Sequence, residues 1–175
     1  LANIAFQDLN GWDGGALYID RSTLVVVSNC TFSNVAAQRY GGAIQIYSYT
    51  TAAIVSNCTF NNTFAESHGG AINVDTFNSG IVITGCVFHN TRTMQYGGAI
   101  SVYKNNIQFA ASNCEFTAVS AVNGGAISLY EYNTDFVISN CVFHSCSAEY
   151  NGGSLYFYTG QDNGEIKNCT FSDST

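Results

Sequence analysis

Two acidic side chains have the type and spacing best suited to chemistry in this chain of 175 residues. Asp20 and Asp75 each lie six residues after the first glycine of a Gly-Gly pair, and His68 and Arg39 precede two such pairs. Two carboxylates flanking a glycosidic bond can serve as acid and base in polysaccharide cleavage. One hypothesis is therefore a carbohydrate-active enzyme that uses Asp20 and Asp75. The alternative, which we favour, is that both acids are solvated outward residues and that the chain has no catalytic residues.

Tyrosine fills the same position after the other glycine pairs. These four residues are Tyr47, Tyr103, Tyr130 and Tyr158. A column of aromatic side chains could shield the backbone beneath it, or it could form a surface that binds a glycan or a neighbouring molecule. The sequence leaves both interpretations open.

Cysteine recurs once in every repeat. The regular positions are Cys30, Cys58, Cys86, Cys114, Cys141 and Cys169, whereas Cys146 lies at a different position of its repeat. The six could be free thiols that pack as small apolar groups, or they could form disulfides in the pairs Cys30–Cys58, Cys86–Cys114 and Cys141–Cys169. No Cys-x-x-Cys motif and no in-phase histidine accompanies them, so we predict neither a metal site nor a cofactor.

Four Asn-x-Ser/Thr sequons are candidate glycosylation sites, since this tripeptide is the acceptor in secreted proteins. They begin at Asn29, Asn57, Asn61 and Asn168. Three of them arise from the repeated tripeptide Asn-Cys-Thr, whereas Asn61 is independent of it and is the first candidate.

An internal repeat of 27–28 residues positions all these groups. The tetrapeptide Gly-Gly-Ala-Ile, or a close variant, begins at Gly14, Gly41, Gly69, Gly97, Gly124 and Gly152. A phenylalanine follows each regular cysteine by two residues, at Phe32, Phe60, Phe88, Phe116, Phe143 and Phe171. Landmarks that keep one period over the whole chain indicate a repeat architecture in which neighbouring units stack.

The apolar residues of each repeat alternate with polar ones, which is typical of strands. Ile44 and Ile46, for example, flank Gln45. The sequence predicts an all-β, single-stranded, right-handed parallel β-helix (a β-solenoid) of about six coils, with three short strands per coil. Only asparagine or glycine precedes the regular cysteines, which predicts a left-handed bend there.

Composition narrows the classes of partner. Charged residues make up 10% of the chain against about 25% in typical proteins, the net charge is −7, and the five basic residues are scattered. We therefore expect no nucleic-acid partner and no transmembrane segment. A polar, sparsely charged surface instead suits close association with other molecules.

The Gly-Gly-Ala-Ile motif, preceded by stretches such as Cys30-Thr31-Phe32-Ser33-Asn34, resembles the repeats of chlamydial polymorphic outer-membrane proteins and related right-handed β-helix surface proteins. That family is known for the pattern Phe-x-x-Asn, whereas asparagine here follows as Phe-x-Asn. The resemblance covers nearly the whole chain and implies an adhesive or scaffolding protein that is extracellular or at the cell surface.

The first and last segments occupy the same phase of the repeat. We therefore expect residues 1–175 to form a single β-helix domain that continues in a longer solenoid or stacks end to end as the protomer of a fibre. A structural or adhesive, non-catalytic function is the first prediction. We also expect the protein to associate with itself, either axially or laterally, and glycans are candidate ligands.

Overall fold

The chain winds into stacked coils in which every strand pairs in parallel with its equivalents one repeat away. The computed structural model describes residues 1–175 and contains twenty-five β-strands and no helix. None of its elements is therefore a long apolar helix that could cross a membrane. The predicted parallel β-solenoid of about six coils is confirmed.

Four parallel sheets, rather than the three predicted, run along the rod. We name the first the phenylalanine sheet, because one phenylalanine lies at the centre of each strand. Its strands are β1 (Ala5–Gln7), β5 (Thr31–Ser33), β9 (Thr59–Asn61), β13 (Val87–His89), β17 (Glu115–Thr117), β21 (Val142–His144) and β25 (Thr170–Ser172).

The additional sheet is the shortest, and most of its strands have two residues. It consists of β2 (Asn10–Gly11), β6 (Ala36–Ala37), β10 (Phe64–Ala65), β14 (Arg92–Thr93), β18 (Ser120–Asn123) and β22 (Ser147–Asn151). The sequence did not predict this sheet, because a strand of two residues is too short to display an alternation.

The remaining two sheets have six strands each. The tyrosine sheet carries the Gly-Gly-Ala-Ile segments and consists of β3 (Leu17–Ile19), β7 (Ile44–Ser48), β11 (Ile72–Thr76), β15 (Ile100–Lys104), β19 (Ile127–Glu131) and β23 (Leu155–Thr159). The aliphatic sheet consists of β4 (Val26–Ser28), β8 (Ile54–Ser56), β12 (Val82–Thr84), β16 (Ala110–Ser112), β20 (Val137–Ser139) and β24 (Glu165–Lys167).

Like residues stack on like residues throughout the interior. The rings of Phe60 and Phe88 lie 4.9 Å apart with an angle of 4° between their planes, and the other phenylalanines repeat this arrangement. One continuous apolar core of 34 buried residues results. This core fixes the register of the coils, and with it the position of every outward side chain.

The bends between strands are built from left-handed residues, as predicted. Asn29, Asn57 and Gly85 have φ values of 52°, 51° and 62°, and the equivalent residues of later coils match them. A second left-handed bend follows each phenylalanine strand, where Asn62 donates a hydrogen bond to Asn34 at 2.8 Å and Asn90 donates one to Asn62 at 3.2 Å.

A second polar ladder is fully buried. The side-chain oxygens of Asn78, Asn106 and Asn133 each accept a hydrogen bond from the backbone N–H of the equivalent residue one coil earlier, at 2.9–3.0 Å. This ladder satisfies the backbone at the turn that follows each strand of the tyrosine sheet.

The cysteine column adopts the free-thiol form. All seven cysteines are unbridged, and all but Cys169 are buried. The Cys58 thiol donates to the Ser56 carbonyl at 3.2 Å and approaches the Val27 carbonyl of the preceding coil at 3.7 Å. Other coils repeat this pattern, so the thiols serve as small buried groups with weak donors.

Candidate binding cleft on the tyrosine sheet

The outer face of the tyrosine sheet carries a second layer of side chains. Gln45, Asn73, Ser101 and Ser128 point away from the core but are fully buried. Aromatic rings from both sides cover them: Tyr96, which precedes a glycine pair, approaches Tyr130 with a centroid distance of 4.9 Å. The outer face therefore has two layers: buried polar side chains, which we call the floor, and aromatic rings above them, which we call the cover.

One side of this cover is the column that the sequence predicted. The strand register stacks its members along the rod. We call it the outer column, and in order it consists of Asp20, Tyr47, Asp75, Tyr103, Tyr130 and Tyr158. The rings of Tyr103, Tyr130 and Tyr158 stack at 5.2 Å and 4.9 Å, with plane angles of 10° and 14°. Because neighbouring rings cover part of each other's faces, ring faces are most accessible where the column is interrupted.

Asp75 makes such an interruption, since it stands between Tyr47 and Tyr103. Two strand spacings, about 9.6 Å, separate the tyrosine positions on either side of it. A cleft of about 430 Å³ opens there, and we call it the Asp75 cleft. Its aromatic walls are Tyr18, Tyr40, Tyr47 and Tyr103.

The Asp75 carboxylate is buried in the cleft without a basic partner. It accepts a hydrogen bond from Gln45 Nε2 at 3.2 Å, and Asn73 Nδ2 in turn donates to Gln45 Oε1 at 3.0 Å. Burial raises the pKa of Asp75 from 3.8 to about 6; the Gln45 hydrogen bond opposes this, and the smaller influences of Asp13 and Arg39 act in opposite directions. Asp75 is thus a desolvated carboxylate that is mostly ionised at neutral pH.

Asp13 and Arg39 form an ion pair at the edge of the cleft. Arg39 Nε donates to Asp13 Oδ1 at 3.1 Å, and the guanidinium lies over the rings of Trp12 and Tyr40 at 5.3 Å and 5.2 Å. The Asp13 hydrogen bond raises the pKa of Arg39. The single basic group of the cleft is therefore already paired with an acid other than Asp75.

His68 lies between the two aromatic walls. Its ring stacks on Tyr40 and on Tyr103, each with a centroid distance of 5.2 Å. The side chain is buried, and Nδ1 has no hydrogen-bond partner. Burial lowers the pKa of His68 from 6.5 to about 4, so the ring is neutral at neutral pH.

The predicted acid pair is divided between two environments. Asp20 occupies the outer column two coils from Asp75, but its carboxylate accepts a hydrogen bond from Ser48 Oγ at 2.9 Å and does not line the cleft. The second acid of the cleft is Asp13, which the sequence analysis missed. Asp13 could have been found from its phase, because it precedes a glycine pair as Tyr40 and His68 do.

The candidate glycosylation sites are all exposed. Asn29, Asn57 and Asn168 occupy left-handed bends, and Asn61 lies on β9. Exposure is compatible with glycosylation, which stays a prediction. No group of three or more potential metal-ligating side chains occurs in the structure.

Comparison with known proteins identifies the family of the fold. A model described as the right handed beta helix region matches residues 15–175. Comparison with curated proteins and comparison with solved structures each gave no match. Since the matched segment is nearly the whole chain and coincides with the stacked coils, the chain belongs to the right-handed β-helix family.

Proposed function

We propose that this β-helix is a non-catalytic, adhesive solenoid that is extracellular or at the cell surface and binds glycans through the outer face of its tyrosine sheet. The observation that carries the proposal is the Asp75 cleft. It combines aromatic ring faces with a few fixed polar groups, which is the composition of carbohydrate and small-ligand sites. The sparse charge and the exposed sequons support an extracellular location.

The geometry of the acids favours binding over catalysis. A glycosidase needs two carboxylates that are free to act on either side of one bond. Here Asp13 is paired with Arg39, and Asp20 is hydrogen-bonded to Ser48 outside the cleft. Only Asp75 remains available, and a single acid without a base matches a binding group better.

A polysaccharide hydrolase or lyase is the second candidate. The raised pKa of Asp75 favours it, because a carboxyl group with a pKa near 6 can act as a general acid. Cleavage of a polysaccharide that is lost in Asp75→Asn would identify an enzyme and contradict the non-catalytic proposal.

The glycan proposal predicts that the rings beside the cleft determine affinity. Tyr47→Ala and Tyr103→Ala should each weaken binding of a glycan selected from an array by about tenfold, since each substitution removes a ring in contact with the ligand. Isothermal titration calorimetry measures the change, and circular dichroism confirms the fold.

Tyr150→Ala is the matched control. Tyr150 is 72% exposed and lies on β22, outside the tyrosine sheet, so its removal should leave affinity unchanged. Equal affinity of all three variants and the wild type would show that the glycan binds elsewhere.

Membership of the chlamydial-type adhesins and axial or lateral self-association both belong to this proposal. The repeat motif supports the first. The polar, sparsely charged surface, with 10% charged residues, supports the second. Self-association would multiply the number of tyrosine faces and raise avidity for a repetitive glycan.

A further inference from the structure

The outer column lacks one ring at Asp75, and the space left there has the size of one ring. Neighbouring rings of this column lie about 5 Å apart, and the Tyr47 and Tyr103 positions are separated by two such steps. His68 also lines the cleft, with its ring stacked on Tyr103. A ring-shaped ligand entering the cleft would therefore lie beside Tyr47 and Tyr103, next to Asp75.

The charges of the cleft favour a cation over an anion. The ion pair of Asp13 and Arg39 is internally balanced, which leaves the Asp75 carboxylate uncompensated. Burying an unpaired carboxylate is costly, and a basic partner would relieve that cost. The chain offers no such partner to Asp75, and its net charge of −7 also opposes an acidic ligand.

The acceptors and rings of the cleft match an ammonium group in particular. Its N–H donors need acceptors, and the Asp75 carboxylate supplies more acceptor sites than its one hydrogen bond from Gln45 uses. The tyrosine rings provide the negative π faces that attract an ammonium group.

We infer that the Asp75 cleft binds the ammonium group of an amino sugar, with its pyranose ring beside Tyr47 and Tyr103 and its nitrogen beside the Asp75 carboxylate. This assignment rests on the proposed glycan-binding function and specifies its ligand class. It distinguishes the cleft from a site for acidic polysaccharides, which the uncompensated carboxylate would repel.

The test compares two saccharides with the same sugar backbone, in which the nitrogen is an ammonium group in one and a neutral acetamide in the other. A glucosamine tetramer and its fully N-acetylated counterpart are titrated into the protein at about pH 7 in an amine-free buffer. The glucosamine tetramer should bind about tenfold more tightly, since one ion pair assisted by cation–π contact gives a ratio of this order. Asp75→Asn should reduce the ratio to about one.

Glu115→Gln is the matched control, because Glu115 is an exposed acid on β17 of the phenylalanine sheet. It removes the same charge from the protein and should preserve the tenfold ratio. Loss of the ratio in Glu115→Gln would show that the preference reflects net charge, and would overturn the assignment to the cleft.

Other outcomes separate this inference from the function on which it rests. Equal binding of both tetramers to the wild type would overturn the ammonium assignment and leave glycan binding intact. Ethylammonium binding as tightly as the glucosamine tetramer would overturn the assignment to a sugar. Binding of neither tetramer overturns the inference, whereas the glycan array with Tyr47→Ala and Tyr103→Ala decides the broader proposal.

Discussion

Asp75 and His68 are buried ionisable residues whose pKa values move in opposite directions across the same pH range. Burial raises the pKa of Asp75 from 3.8 to about 6 and lowers that of His68 from 6.5 to about 4. The folded protein therefore binds a proton at Asp75 more readily than the unfolded chain does, and binds one at His68 less readily. The contribution of Asp75 to stability is lost as pH rises from about 4 to 6, whereas that of His68 is lost as pH falls from 6.5 to about 4.

Because these effects oppose each other, the pair together should contribute almost the same free energy of unfolding at every pH between 4 and 7. In either single variant one effect remains, so the free energy of unfolding should change with pH relative to the wild type. Asp75→Asn should stabilise the protein by about 1–2 kcal/mol at neutral pH, after allowance for solvent screening, and this gain should disappear by about pH 4. His68→Phe keeps the stacked ring but has no group that must bind a proton. The stability of this variant relative to the wild type should therefore increase as pH falls from 6.5 to about 4.

Thermal unfolding followed by circular dichroism between pH 4 and 7 measures both slopes. Each variant is compared with the wild type at every pH, so that effects common to all three proteins cancel. Parallel curves for the wild type and both variants would contradict the assigned pKa shifts.

At the level of elements, the glycine pairs allow neighbouring coils to approach each other at the start of the tyrosine sheet. A Cβ on Gly98 would lie 2.1 Å from the Gly125 carbonyl oxygen and 2.5 Å from that of Ser120. Both contacts are backbone atoms that the strand pairing fixes. The second glycine of the pair is therefore required by space, not by its own φ angle.

Gly98→Ala should destabilise the protein by about 3 kcal/mol, the upper range for an overpacked site. Gly80→Ala is the matched control, because a Cβ there meets nothing closer than 3.7 Å. Its φ of 64° resembles the 55° of Ala52 one coil earlier, so about 1 kcal/mol is expected. Chemical denaturation compares the two, and equal losses would show that backbone conformation, not space, governs both sites.

The coils could be predicted from the sequence because the residues that form their strands, bends and core recur once per repeat. The alternation around Ile44, the bend at Asn57 and the stack of Phe60 on Phe88 were all recognisable before the fold was known. The buried ladder of Asn78, Asn106 and Asn133 was not predicted, because asparagine at a turn does not reveal whether it faces solvent or protein.

The Asp75 cleft was only partly predictable for a related reason. The outer column places Asp75 between two tyrosines in the sequence repeat alone. Burial of Asp75 depends on how far the rings of Tyr40 and His68 lean across the sheet. The repeat period predicts which positions share a face, but it does not predict the direction in which a side chain leans. The pairing of Arg39 with Asp13 rather than Asp75 depends on the same geometry.

At the level of the whole molecule, the cysteine column runs through the core with one thiol per coil. Six of the seven thiols are buried. Burial raises the pKa of Cys146, which lies outside the column, to about 11. Burial also raises the pKa of Cys169, the one partly exposed thiol. Thiols that are enclosed in the core react slowly, because the reagent cannot reach the sulfur.

The free-thiol structure predicts that Ellman's reagent titrates all seven cysteines in guanidinium chloride and at most Cys169 in the native protein. Reduction before the assay is the control and should not change the total. If the adjacent cysteines were bridged in the three pairs considered above, only Cys146 would react before reduction.

The interruption at Asp75 has a consequence for how binding can change in this architecture. Since each coil contributes one residue to the outer column and the core beneath is the same in every coil, a tyrosine at position 75 and an aspartate at position 103 would shift the gap by one coil, about 4.8 Å along the rod. The floor beneath would then change from Asn73 to Ser101. A solenoid of this kind can change the position and the chemistry of its binding site by substitutions at surface residues alone, while the residues of its core stay the same.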